Sequence, residues 1–264
     1  MTDNLDTDGR ADYGLDAPGV VRNLVMVSVI GFSIFGVAKA HVWSGVIPVP
    51  FVANVSIDLS GCGLVLGVLC LVMAAWMVYD SFVGKLALRD RLLAQVAWTG
   101  HEEVLDVGCG RGLLLIGAAK RLSSGKAVGI DLWQSEDLTH NQADETLRNA
   151  RLEGVADRVA IETGDMRNMP FAEGRFDVIV SRAAIHNLYK VAEREAALKE
   201  IVRVLKPGGY ALISDIRHID SYATSFTQLG CTVKHSGFRL VPFLVMMLTW
   251  GSLRPGFLIA RKTV

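Results

Sequence analysis

Residues 104–112 read Val-Leu-Asp-Val-Gly-Cys-Gly-Arg-Gly. Val104 to Val107 has the apolar pattern of a short buried strand, interrupted by one acid, Asp106. Gly108, Gly110 and Gly112 then form a loop almost without side chains, and Leu113, Leu114, Leu115 and Ile116 open an apolar helix. A strand, a bare loop and a helix start make a cradle in which a ligand can approach backbone and helix N–H groups face it. A dinucleotide site wants G-x-G-x-x-G, whereas this loop is G-x-G-x-G with an acid two residues before its first glycine. Taken alone, the loop leaves the ligand open.

Helix and strand patterns alternate downstream, which predicts an α/β fold with a doubly wound, mostly parallel sheet. Helix 113–122 runs to Ser123-Ser124-Gly125, and strand Lys126 to Ile130 ends at Asp131, 23 residues after Gly108. An acid at that strand tip can accept both hydroxyls of a ribose, although turn acids are common there too. Trp133 can wall a nucleobase or pack against the neighbouring helix. Helix 142–153 stops at Gly154, strand Arg158 to Glu162 follows, and Gly164-Asp165-Met166 comes next. Phe176-Asp-Val-Ile-Val180 reads as a central parallel strand leading into Ser-Arg-Ala-Ala-Ile-His-Asn-Leu188. Helix 191–205, the turn Lys206-Pro-Gly-Gly209 and strand Ala211 to Ser214 complete the pattern.

The upstream half is different in kind. The chain is 51% hydrophobic, and Leu59 to Tyr79 is 21 residues without a charge, long enough to cross a bilayer. Trp76 and Tyr79 stand near its end, as interfacial aromatics do, and Gly63 and Gly67 form a small-xxx-small pair suited to a packed second helix. Leu24 to Trp43 is the candidate partner, interrupted by Lys39 and His41. A signal peptide ending at Ala38-Lys39-Ala40 is the rival reading, but more than twenty Asp-rich residues precede the apolar stretch. The expected organisation is a disordered tail at 1–20, a transmembrane helical hairpin at 21–80, a connecting helix at 81–98 with Phe82, Leu86, Leu93 and Val96 near one face, and the α/β domain at 99–264. Lys85, Arg89 and Arg91 past the second span, against Lys39 and His41 between the spans, place residues 80–264 in the cytoplasm by the positive-inside rule. Net charge is zero, which gives no support to a nucleic-acid partner. Cys62, Cys70, Cys109 and Cys231 show no metal-ligand spacing and fit a reducing compartment.

VLDVGCGRG, GID, GDM, RFDVIVS and LKPGG stand in the order and spacing of class I S-adenosylmethionine (SAM)-dependent methyltransferases, which residues 99–264 resemble. The resemblance implies a seven-stranded Rossmann-like sheet, SAM as cofactor, and cofactor contacts at Asp106, Gly108, Gly110, Asp131, Asp165 and Met166. It places Asp165 at the adenine amino group and Met166 against the ring, and it sets residues 181–189 over the methyl donor. His186 is the candidate general base there, or else a capping histidine, and Arg182, Asn187 and Tyr189 are candidate acceptor contacts. No N/D-P-P-Y/F sequence follows the fourth strand, which argues against amide or adenine N-methylation.

Val241 to Trp250 is an apolar run too short to span, read as a sheet connection or as a flap facing lipid. With the hairpin it points to a small hydrophobic acceptor such as a quinone, isoprenoid or lipid, at a bilayer. The alternatives are a non-catalytic SAM-binding membrane module and a lipid-modifying enzyme of the same fold, such as a cyclopropane synthase.

Overall fold

The computed structural model describes residues 9–40, 44–48, 56–134, 138–235 and 254–263. His41, Trp43 and the apolar run Val241 to Trp250 lie outside the described residues. The chain divides into two compact units: residues 14–85 with 135–140, and the remainder.

The first unit is a helical hairpin. Helix α1 spans Pro18–Lys39, a short β-ribbon pairs β1 (Val46–Pro48) with β2 (Ser56–Asp58), and helix α2 spans Leu59–Tyr79. Asp58 caps α2 by accepting the N–H groups of Ser60 and Gly61. Both helices are long and apolar enough to cross a membrane, and only 17% of each apolar window is buried inside the protein. They meet through glycine. A Cβ on Gly31 would stand 2.4 Å from the Gly63 carbonyl oxygen, and the Ser28 hydroxyl donates to the Gly67 carbonyl at 2.8 Å. Such close backbone approach is how helices pair where no hydrophobic force drives them together. Gly31→Val is therefore expected to destabilise the hairpin by ~1–3 kcal/mol through overpacking. Gly36→Val, with nothing within 4 Å of the added carbon, is expected to be silent. Denaturant titration of both variants in the same detergent checks this, and equal behaviour would contradict the packing.

The connecting segment departs from expectation. Asp80–Gly84 forms a π-helical turn before helix α3 (Lys85–Leu93). That extra residue rotates the following face, so Ser81 is buried while Phe82 is 56% exposed. Lys85, expected as a flanking positive charge, is buried: its ammonium donates to the Gly14 carbonyl and pairs with Asp16 at 3.0 Å.

The second unit is a three-layer α/β domain. Its strands are β3 (Glu103–Val107), β4 (Lys126–Asp131), β5 (Val159–Thr163), β6 (Phe176–Arg182), β7 (Leu205–Asp215), β8 (Cys231–His235) and β9 (Gly256–Lys262). They form one seven-stranded sheet in the order β5-β4-β3-β6-β7-β9-β8. The first five run parallel, and β9 is antiparallel to both neighbours. This is the Rossmann-like architecture expected. Helices α4 (Leu113–Ala119), α5 (Ala143–Leu152), α6 (Val191–Val204) and α7 (Ile219–Gln228) supply the connections. Apolar clusters on the two sheet faces bury residues such as Leu105 and Ile179 on one side and Val104 and Val180 on the other. Lys206 to Gly209 bulges out between the pairs Phe176–Leu205 and Val178–Tyr210, so β7 starts earlier than the expected Ala211. The strand order reverses between the parallel neighbours β3 and β6, and in open sheets of this kind a crevice opens at the carboxyl ends of the strands flanking such a switch point.

The expected disordered tail is corrected from residue 9 onward. Asp12 donates its N–H to Asn149 Oδ1, and the Asn149 amide returns a bond to the Asp12 carbonyl and another to the Arg111 carbonyl. Tyr13 is buried, with its hydroxyl donating to Glu153. Asn149 is itself fully buried, so this segment is tied to the glycine loop through a satisfied polar network.

Candidate functional site

The glycine loop sits at the switch point. Gly108 has φ +71, a left-handed conformation that favours glycine. A Cβ there would come within 2.3 Å of the Ala184 Cβ and 3.7 Å of the Met166 Cε. The loop thus touches the segment after β6 and the one after β5, both distant in sequence. Gly112 is confined in the same way, because a Cβ would meet Thr146 Cγ2 at 2.8 Å.

Asp131 lies at the tip of β4, beside the loop. Its Oδ2 accepts the Gly110 N–H at 2.8 Å and its Oδ1 accepts the Trp133 N–H at 2.7 Å. An ionised carboxylate has about four acceptor directions, so each oxygen keeps one for a further donor. That leaves room for a pair of vicinal hydroxyls. Trp133 is held with φ +61, and its indole donates to Thr163 at 2.8 Å while its ring packs against the core.

Asp106 behaves differently from its neighbours. It is 2% exposed and accepts the Leu115 N–H at 2.8 Å, so one donor of the α4 start is used inside the protein. Burial above all, with the charge of Asp131 added, pushes its carboxyl from the ordinary 3.8 to about 8, against the lowering effect of the Leu115 bond. Asp106 shapes the loop from beneath; its carboxylate does not open onto the crevice. The thiol of Cys109, buried beside the same two acids, is pushed well above its usual range, chiefly by burial, which disfavours the thiolate.

Asp165 is committed to Arg167. One oxygen accepts the Arg167 N–H and Nε, the other accepts Nε and Nη2 at 2.9 and 2.6 Å. This pairing holds its carboxyl below the ordinary range. An amino donor reaches Asp165 only if the Arg167 side chain gives way. Arg167 also pairs with Glu193 at 3.2 Å, which offers it a second resting place.

The segment after β6 is strained and anchored. Ala183 adopts φ +51 and donates its N–H to the Ser214 carbonyl, and Ser181 donates its hydroxyl to the Val107 carbonyl. A 3₁₀ turn, Ile185–Asn187, then presents His186. His186 Nδ1 stands 2.6 Å from Asp215 Oδ1, off the line of an ideal hydrogen bond. Asp215 closes β7, is 3% exposed, and is absent from the residues expected from sequence. The signal was present: Ala-Leu-Ile-Ser-Asp215 is a third apolar strand ending in an acid, as Asp131 ends β4. Arg182 and Asn187 flank His186 and are partly buried, whereas Tyr189 is 91% exposed and stands apart from this cluster.

Around the glycine loop stand Asp131, bonded to Gly110, and Met166 and Ala184, both beside Gly108, and the turn that follows Ala184 carries His186 with its partner Asp215. An adenosyl ligand fits the loop and these neighbours: bare backbone at Gly108, two free acceptor directions on Asp131, and a thioether wall at Met166.

Comparison with known proteins bears on the family and the fold. Residues 104–209 match the family model described as a methyltransferase domain. The chain is 33% identical over 149 residues to Methyltransferase GfsG of Streptomyces halstedii, covering 55% of this chain and 50% of that protein. It is 34% identical over 121 residues to the demethylmenaquinone methyltransferase of Lactiplantibacillus plantarum, covering 46% and 47%. The chain thus spans about half the length of these curated relatives. Among solved structures, a putative S-adenosyl-L-methionine-dependent methyltransferase from Methanococcus maripaludis is similar with TM-score 0.52 and 19% identity, over 70% of this chain and 90% of that one. That likeness speaks to the fold.

Proposed function

We propose that this chain, whose α/β unit belongs to the class I SAM-dependent methyltransferases, moves a methyl group from SAM to a small apolar acceptor at a membrane. SAM is the cofactor, and when bound it supplies a methyl carbon already activated by the sulfonium charge. The residues have to hold the two reactants in line and keep water out, which is worth several kcal/mol.

In this reading Asp131 accepts the ribose hydroxyls through its two open directions. Gly108 and Gly110 let the ligand lie against backbone. Met166 walls the adenine, and Asp165 takes its amino group once Arg167 swings toward Glu193. Asp106 supports the site by fixing the loop. His186 takes a proton from an acceptor that carries one, and Arg182 and Asn187 orient that acceptor. Tyr189, which points to solvent, joins them only by folding inward.

The apolar acceptor and the membrane come from the hairpin. Val29, Ile30, Val65, Leu69 and Val72 are each more than half exposed. Water penalises that much apolar surface, whereas lipid does not. Arg89 and Arg91 follow α2 closely, which supports a cytoplasmic α/β unit. The activity for which the Lactiplantibacillus relative is named, on a demethylmenaquinone, supports a quinone-like acceptor. The single observation that carries the reading is the pairing of an intact glycine cradle with this exposed hairpin in one chain. Untargeted comparison of metabolites between a strain lacking the gene and its parent tests it. An apolar metabolite lacking one methyl group should accumulate in the deletion strain. Changes confined to polar metabolites would overturn the proposed acceptor class.

A further inference from the structure

We propose that Asp215 is a positioning residue that holds the His186 ring through Nδ1 and leaves Nε2 to take the proton of the methyl acceptor. The inference rests on the reading of the crevice as a methyl-transfer site with His186 at its acceptor side.

The Asp215 side chain is 1% exposed, and its contacts fix it closely. Its Oδ2 accepts the backbone N–H of His186 at 3.1 Å and lies 3.4 Å from the Tyr222 hydroxyl. Its Oδ1 accepts the Ile216 N–H at 2.7 Å and stands 2.6 Å from His186 Nδ1. One carboxylate therefore grips both the backbone and the ring of His186. A capping histidine would need only the first contact. The strained backbone on either side fits the same purpose: Ala183 (φ +51) aims the 3₁₀ turn, and His218 (φ +63) starts the helix that brings Tyr222 to the carboxylate. Strain of this kind persists where the surroundings enforce it, and it gathers at working sites. The ring contact is close but off line for a hydrogen bond, and catalytic contacts are often poorly aligned before substrate binds. His218, Arg194 and Arg217 are further charged or titratable groups near this cluster, besides Tyr222 and Arg182.

The chemistry balances. The acceptor atom gives up its proton to Nε2 and, with the electron pair of that bond, forms the new bond to the methyl carbon. The carbon–sulfur bond breaks with its electron pair left on sulfur, which discharges the sulfonium. The imidazolium so formed lies against the Asp215 carboxylate, which stabilises it without taking the proton.

The tautomer of His186 tests this without any acceptor. The full chain, with ¹⁵N-labelled histidine and in detergent micelles, gives long-range proton–nitrogen spectra in which loss of a signal in His186→Gln identifies the ring. The neutral ring is expected as the Nδ1–H tautomer, and Asp215→Asn is expected to convert it to Nε2–H, while Tyr222→Phe leaves it unchanged. An Nε2–H tautomer of this ring in the unmutated protein overturns the proposal, and so does an unchanged tautomer in a folded Asp215→Asn. With a lipid extract and methyl-labelled SAM, Asp215→Asn should lower kcat by ~10²–10⁴-fold with SAM affinity unchanged, and by almost nothing in a His186→Gln background. An equal loss in both backgrounds overturns the proposal. Absence of any transfer by the unmutated protein overturns the methyl-transfer reading, while the tautomer still decides whether Asp215 positions the ring.

Discussion

Gly108→Ala is expected to abolish SAM binding and to destabilise the α/β unit by ~2–5 kcal/mol. Two causes add. A left-handed φ of +71 costs an L-residue ~1–2 kcal/mol. A Cβ placed 2.3 Å from the Ala184 Cβ adds an overpacking cost of ~1–3 kcal/mol, or pushes the segment carrying His186 away from the loop. Ala184→Gly removes the obstructing carbon and leaves the backbone strain, so Gly108→Ala/Ala184→Gly should recover part of the stability and part of the binding. Calorimetric SAM titration with denaturant unfolding on all three variants reads both effects. Unimpaired SAM binding by Gly108→Ala would show that this glycine is not the floor of the cradle.

The second large effect is a pH dependence of stability that resides in Asp106. Its carboxyl titrates near 3.8 when unfolded and about 8 when buried beneath the loop, so the folded state holds the proton more tightly. The stability this gives is full below about pH 4 and is lost as pH rises toward 8, by ~1.4 kcal/mol per pH unit across that window. The accumulated loss is on the order of 5 kcal/mol at its upper end. Asp106→Asn keeps an acceptor for the Leu115 N–H and cannot ionise. Its stability relative to the unmutated protein should therefore climb steadily from pH 4 to pH 8. Parallel stability curves across that range would mean that Asp106 is not titrating as its burial implies.

Much of this was legible in the sequence because it is written in local patterns. Strand, glycine loop and helix at 104–116, and acids closing strands at 131 and near 165, are contiguous motifs whose physics is short-range. The α2 boundaries, Leu59 and Tyr79, could be read from an unbroken apolar run. What escaped was made by contacts between distant residues. No periodicity reveals that the Ala184 methyl fills the space above Gly108, or that Asp12 reaches across to Asn149. The Asp- and Gly-rich composition of the first residues argued for disorder, yet Asp12 and Tyr13 find buried partners. A 3.6-residue repeat puts Phe82 on the buried face, because the π turn that carries it is invisible to that repeat. Asp215 could have been found by applying to β7 the rule that picked out Asp131. Its significance appears only when the fold brings β6 and β7 side by side and sets His186 above it.

The most direct test of the account is the transfer reaction. The full chain in phospholipid vesicles, given methyl-tritiated SAM with either demethylmenaquinol or a total lipid extract, should move label into an organic-soluble product one CH₂ heavier than its precursor. The loss of that label in Gly108→Ala would tie it to the cradle. SAM that binds while label stays in water-soluble products, or reaches no acceptor at all, would contradict the account.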